Sequence, residues 1–197
     1  MAKLSEQTNL LNQKMTSVNL NQSIEGYGVK HIYDSMPYEE FNKKIDSTKT
    51  KKVRILQTWM KGTNPITDEM MEAIARGVDF ELILLKPDSD MAAMRAFDIG
   101  FEPKNTRAIT LFEGIEAAVK NNNINKEKFK VRFHESVPPF SMYAVDDWIL
   151  IGLYWHGRGS VSNPMFLLEN VTKGKLGWNV MDTFEEIWNK SEEVCFD

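Results

Sequence analysis

Two apolar runs constrain this chain most: "VRILQTW" at 53–59 and "VDFELILLK" at 78–86. Val53, Ile55 and the apolar end of the first run suit a buried strand. The unbroken "LILL" of the second asks for cover on both faces, as in a parallel sheet. Between them, after the Gly62–Pro65 loop, Thr67, Asp68 and Glu69 open a helix that runs through Ala75 and stops at Gly77. A strand, a helix and a second strand in that order imply a right-handed parallel crossover.

The rest of the chain surrounds this unit with alternating elements. Residues 2–22 read as a helix carrying a thin stripe of Leu4, Leu11, Met15 and Val18, with Leu10 beside it, to be laid on the core or on a twin subunit. Gly26 and Gly28 then break the chain. "VKHIYDSM" is a short strand or turn, and Pro37 starts a helix over 37–49 with Tyr38, Phe41 and Ile45 on one side. Asp88 and Ser89 are N-caps for a helix over 90–98 that ends at Gly100. A further helix is expected over 106–120, with Ile109, Leu111, Phe112, Ile115 and Val119 on its apolar side. "FKVRFHESV" is a strand, "SMYAVDDWILIGLYW" is a hairpin turning at Asp146 and Asp147, "MFLLENV" is a short strand, and 181–194 is a closing helix. The fold class is α/β: a mixed, mostly parallel sheet flanked by helices, with residues 1–25 as a helical appendage and 26–197 as the domain.

Composition narrows the chemistry. The 197 residues carry 24 Lys+Arg against 28 Asp+Glu, a net charge of -4, which argues against a general nucleic-acid coat and makes a nucleic-acid partner an unfavoured expectation. One cysteine, Cys195, excludes an intrachain disulfide and any zinc site built from several thiolates. No run reaches the ~18 apolar residues of a membrane span, and the polar start has no apolar signal core, so a cytoplasmic protein is expected. Any mechanism that uses histidine must draw on His31, His134 and His156. Dinucleotide, P-loop, zinc-protease and nucleophile-elbow motifs are absent, and no cofactor or metal is expected.

The run "PFSMYAVDDWILIGL" resembles the phospholipase D superfamily, whose core motif is His-x-Lys-x4-Asp followed by a short strand and a Gly-Ser turn. The apolar frame is matched, but the family's His falls at Pro139, its Lys at Ser141, its Asp at Asp146 and its Gly-Ser at Gly152 and Leu153. "GVKHIYDSMPYEEFNKKIDSTKTKKVRILQTW", "ARGVDFELILLKPDSDMAAMRAFDIG" and "FEEIWNKS" are similar to further segments of that family in the same order, over about residues 26–192. In the family the His attacks phosphorus, and the Lys holds phosphate oxygens. Pro139 can do neither, and Ser141 brings no charge. The resemblance therefore implies a half-unit with a degenerate motif, catalytically inactive, acting as a ligand- or protein-binding sensor or regulatory module in a bacterial cell. One-half members pair about a two-fold axis, so it also implies a homodimer.

Ser141, Asp146, His156, Arg158, Ser160 and Asn163 are the candidate ligand-binding residues, for a phosphate-containing small molecule or a protein partner. The alternative is a phosphodiesterase or nucleotide-processing enzyme with a rearranged site, in which His134 or His156 acts with Arg158. Each histidine also has a purely structural reading, as does the "GRGSVSN" loop. Asp88, Ser89 and Arg95 are either helix capping with a surface arginine or a ligand site at a helix N-terminus, where Asp88 would oppose an anion. Asp146 and Asp147 are turn residues before they are metal ligands. Met70, Met71, Met91 and Met94 belong to the core or to an adaptable contact face.

Overall fold

A computed structural model of the chain describes residues 25–59, 66–100, 127–169 and 172–195. The helices expected over 2–22 and 106–120 lie outside the described residues. In chain order the elements are β1 (Val29–Tyr33), α1 (Tyr38–Ile45), β2 (Lys52–Gln57), α2 (Ile66–Ala75), β3 (Asp79–Leu85), α3 (Asp90–Asp98), β4 (Phe129–His134), β5 (Ser141–Val145), β6 (Trp148–Gly152), β7 (Met165–Leu168), α4 (Leu176–Lys190) and β8 (Glu192–Glu193). A short 3-10 turn spans Ser160–Ser162 between β6 and β7.

All eight strands join one sheet in the order β1-β7-β6-β5-β2-β3-β4-β8. β2, β3 and β4 pair in parallel, as the two apolar runs require. Every other pairing is antiparallel. The sheet is thus mixed but mostly antiparallel, which corrects the expectation of a mostly parallel one. The β5–β6 hairpin flanks the parallel set at its β2 edge. It inserts between β2 and β7, and β7 then turns back to pair with β1.

Two apolar layers cover the sheet. On one face Phe41 and Ile45 from α1, and Met70, Ala73 and Ile74 from α2, pack on Val53, Ile55, Phe80, Leu82, Tyr143 and Leu150. On the other, Val180, Met181, Phe184 and Ile187 from α4 pack on Leu56, Ile83, Met142, Ala144, Ile149 and Ile151. Odd and even residues of β2 therefore supply opposite layers, as a strand covered on both faces must. α1 stacks Phe41 and Ile45 four residues apart, and Glu39, Glu40, Lys43 and Lys44 complement its dipole at the two ends. Burial of the Tyr143 phenol in this layer pushes its pKa well up, so the hydroxyl stays protonated.

The hairpin turns at Asp146 and Asp147 as expected, with Asp146 in the left-handed region at φ 52°. Its carboxylate accepts the backbone N–H of Lys51 at 3.3 Å and of Lys52 at 3.0 Å. That explains an aspartate in a conformation that disfavours side chains: the short carboxylate caps the neighbouring strand while the turn reverses the chain. Among the described residues no helix is long and apolar enough to cross a membrane.

Candidate functional site

β2, β3 and β4 end on the same side of the sheet, and the antiparallel neighbours bring the start of β5, the end of β6 and the start of β7 to that side. Leu56 pairs with Met142, Ser141 with Gly152, and Gly152 with Met165. Continuing the β2–β5 register by one step sets Gln57 opposite Ser141, so Gln57, Ser141, Gly152 and Met165 form the last row of the sheet. Open α/β sheets commonly offer ligands this carboxyl edge of their parallel strands.

Polar burial in the molecule is concentrated here. Among the described residues the buried polar and charged side chains are Gln57, Thr58, Arg95, Ser141, Ser160 and Asn163, and all six belong to this edge. Ser160 Oγ donates to Gln57 Oε1 at 3.0 Å. Ser141 Oγ donates to the Gly152 carbonyl at 3.1 Å. Asn163 Nδ2 donates to the Leu153 carbonyl at 2.9 Å, and its backbone N–H to the Ser160 carbonyl. The 3-10 turn therefore carries Ser160 and Asn163 inward together, and that turn is tied to the start of α1 by the Met36 N–H on the Val161 carbonyl.

The loop after β6 is clamped onto α3 by one arginine. Arg95, 6 % exposed, donates to the carbonyls of Trp155 at 3.2 Å and Arg158 at 2.8 Å, pairs with Asp98 three residues on, and lies over the Tyr154 ring at 5.1 Å. The other oxygen of Asp98 holds His156 Nδ1. His156 is otherwise open to solvent, its side chain 92 % exposed. Burial drives the Tyr154 phenol far above its ordinary range although the Arg95 guanidinium opposes this, and its hydroxyl faces Thr58.

The expected ligand residues divide by this geometry. Ser141, His156, Arg158, Ser160 and Asn163 gather at the edge. Asp146 does not join them: it sits at the far end of β5, roughly 16 Å from Ser141 at the usual rise per strand residue. His134 ends β4, four strands from β6 and so about 19 Å from the end of that strand at ordinary strand spacing. Burial lowers the His134 pKa, against the raising effect of Glu135. His31 lies on β1 against the Tyr33 ring, 4.4 Å between centroids.

The Asp88, Ser89 and Arg95 cluster resolves into capping and a clamp. Ser89 Oγ accepts the Ala92 N–H at 3.1 Å as N-cap of α3, Asp88 is exposed, and Arg95 turns away toward the loop. Met70 is core, whereas Met94 and Phe97 on α3 are 64 % and 81 % exposed. Gln57, Tyr154 and Asp98 were missed by sequence reasoning. The one local trace of Asp98 is its spacing of three from Arg95 on a helix.

No protein-family model and no curated protein matches the chain in sequence. Solved structures do match its fold. A phospholipase D family member, Nuc from Salmonella typhimurium, aligns with TM-score 0.52 at 15% identity, covering 83% of this chain and 97% of its own. TrmBL2, described as an archaeal chromatin protein with a novel mode of DNA binding, aligns with TM-score 0.55 at 12% identity, covering 98% of this chain. The chain spans 66% of the length of TrmBL2. At these identities the likeness concerns the fold, and it gives this protein a phospholipase D-like α/β architecture.

Proposed function

We propose that this chain is a phospholipase D-like module without phosphohistidine chemistry, which binds a small ligand or a protein partner at the carboxyl edge of its parallel strands. It acts as a sensor or regulatory component in the bacterial cytoplasm and pairs as a homodimer. The observation that carries this reading is Ser141. Where the resembled motif has a phosphate-binding lysine, a fully buried serine donates its proton to the Gly152 carbonyl. It is committed to closing the β5–β6 row and brings no positive charge to a phosphate. Two residues earlier Pro139 has no nucleophilic atom. Arg95, the buried cation of the edge, is already neutralised by Asp98.

The unfavoured place given to nucleic acid loses some of its force, because TrmBL2 is described as binding DNA. The acidity of this chain still argues against a general coat, and a DNA-binding role is a separate outcome to look for in a gel-shift assay.

A second reading has one specific observation in its favour. His156 is held through Nδ1 by Asp98, which fixes the tautomer and leaves Nε2 facing solvent, the arrangement of an oriented general base or nucleophile. In that case His156, with Arg158, would act on a phosphodiester or nucleotide. Incubation of the purified chain with bis(p-nitrophenyl) phosphate in the presence of chelator separates the two readings. No turnover is expected. Turnover that disappears in His156→Ala overturns the inactive module in favour of the enzyme. Light scattering in solution tests the dimer, with twice the 22.7 kDa chain mass as the expected result.

A further inference from the structure

At the end of β5 away from Ser141, a cleft of about 480 Å³ opens between the end of α1, the loop into β2 and the β5–β6 turn. Ordinary small-molecule sites occupy ~300–1,000 Å³. The cations of the cleft are Lys44, in the last turn of α1, and Lys49, in the loop after it. Its carboxylates include Asp147, in the hairpin turn, and Glu169, the residue after β7. Among the described residues none of these four side chains takes part in an ion pair, although both signs line one cleft.

The backbone that carries these charges is tied down. Thr50 Oγ1 donates to the Lys44 carbonyl at 2.6 Å, and Ser47 Oγ accepts the Lys49 N–H at 3.3 Å, which folds the loop back on the helix end. Asp146, a third acid of the cleft, spends its carboxylate on the N–H groups of Lys51 and Lys52 and so joins loop to turn. The Lys44 ammonium lies 5.9 Å from the centre of the Trp148 ring, which is buried and stacked on Phe41. Lys44, Lys49, Asp147 and Glu169 themselves are exposed.

The sign pattern selects a class of ligand. An anion drawn by Lys44 and Lys49 is opposed by Asp147 and Glu169, and a cation drawn by the acids is opposed by the lysines. A molecule that carries both charges offers each group its complement. Ser47 adds a hydroxyl proton that a carboxylate can accept.

We infer that this cleft binds a zwitterionic small molecule, with its carboxylate toward Lys44 and Lys49 and its ammonium toward Asp147 and Glu169. A free α-amino acid and a short unblocked peptide share this chemistry. The site is separate from the carboxyl edge and stands or falls independently of it. Exposed charges make weak, salt-sensitive contacts, so binding is in the millimolar range.

The test is titration of the full chain at low ionic strength with four probes: leucine, leucyl-leucine, isocaproate (leucine without its amine) and isopentylamine (leucine without its carboxylate). Binding is followed through the assigned backbone amide signals of Asp147 and Trp148 and the Trp148 indole N–H. At least one of the two zwitterions is expected to move these signals saturably, while isocaproate and isopentylamine at the same concentration leave them in place. Lys44→Met and Glu169→Gln, at exposed positions, are each expected to weaken that zwitterion about two- to fivefold, the value of one exposed ion pair, with the rest of the spectrum unchanged. A singly charged probe that binds as well as the zwitterions overturns the ligand class. Unchanged affinity in both variants, or no saturable shift with either zwitterion, overturns the site. Shifts confined to Gln57, Ser160 and their neighbours also overturn it, and support the carboxyl edge instead.

Discussion

Ser141 and Gly152 face each other across the β5–β6 ladder, and the serine hydroxyl donates into the glycine carbonyl at 3.1 Å. The glycine is required by its surroundings. A methyl group on Gly152 would lie 2.5 Å from Met165 Sδ and 2.7 Å from Ser141 Oγ. Gly152→Ala is expected to destabilise the fold by about 1–3 kcal/mol, the usual cost of overfilling a packed site. Urea unfolding followed by tryptophan fluorescence checks it, and a wild-type midpoint would show that the row is loosely packed.

Arg95 ties α3 to the loop after β6. Replacing it with leucine keeps bulk over Tyr154 but frees two carbonyls and leaves Asp98 without its cation. A loss of about 3 kcal/mol is expected, as for other broken buried pairs. Limited proteolysis should cut preferentially between 153 and 159 in Arg95→Leu and not in the wild type.

The turn residue Asp146 combines a left-handed backbone with two accepted N–H bonds. Asp146→Asn tolerates the left-handed backbone but keeps one acceptor oxygen, so it should retain the Lys52 bond, lose the longer Lys51 bond and cost about 1 kcal/mol, whereas Asp146→Val loses both acceptors and strains the backbone, at a cost of about 2–3 kcal/mol. Equal denaturant midpoints for the two variants would contradict this account of the turn.

His134 has its pKa lowered from 6.5 in the folded chain, chiefly by burial. The unfolded chain therefore binds a proton at a pH where the folded chain does not, so stability falls as pH drops below the unfolded value and levels off beneath the folded one. His134→Gln should remove that part of the fall between neutral pH and pH 5 and leave the alkaline side unchanged. Parallel pH–stability curves for the two proteins would exclude the linkage.

Local pattern carried much of this architecture. The unbroken apolar runs of β2 and β3, the hairpin at Asp146 and Asp147, and the Ser89-capped helix over 90–98 all stand where periodicity and capping put them. α4 begins at Leu176, five residues before the expected start at 181, and takes in Gly177, a residue of low helix propensity that is buried in its first turn. The proportion of parallel pairing was misjudged for a different reason. The neighbour of β7 across the sheet is β1, more than 130 residues earlier, and no local signal encodes that partnership. The site suffers most from this distance. Ser160 meets Gln57 across 103 residues and Arg95 meets the Arg158 carbonyl across 63, so polar residues that look like loop chemistry in sequence become a buried row only in the folded sheet.

The strand order has a consequence for how the protein is made. β1 has one partner in the sheet, β7, and the ladder between them joins Val29 to Leu168. On a ribosome, β1 must wait for nearly the whole chain to emerge before it can be seated, while β2, α2 and β3 can already have formed their crossover behind it. A late step of assembly is then the capture of an early-synthesised strand by a late one, with α4 and β8 still to follow. Pairing across such long separations is slow and leaves apolar edges open meanwhile. During synthesis the exposed rim of β7 and β6 is where this chain most needs a chaperone.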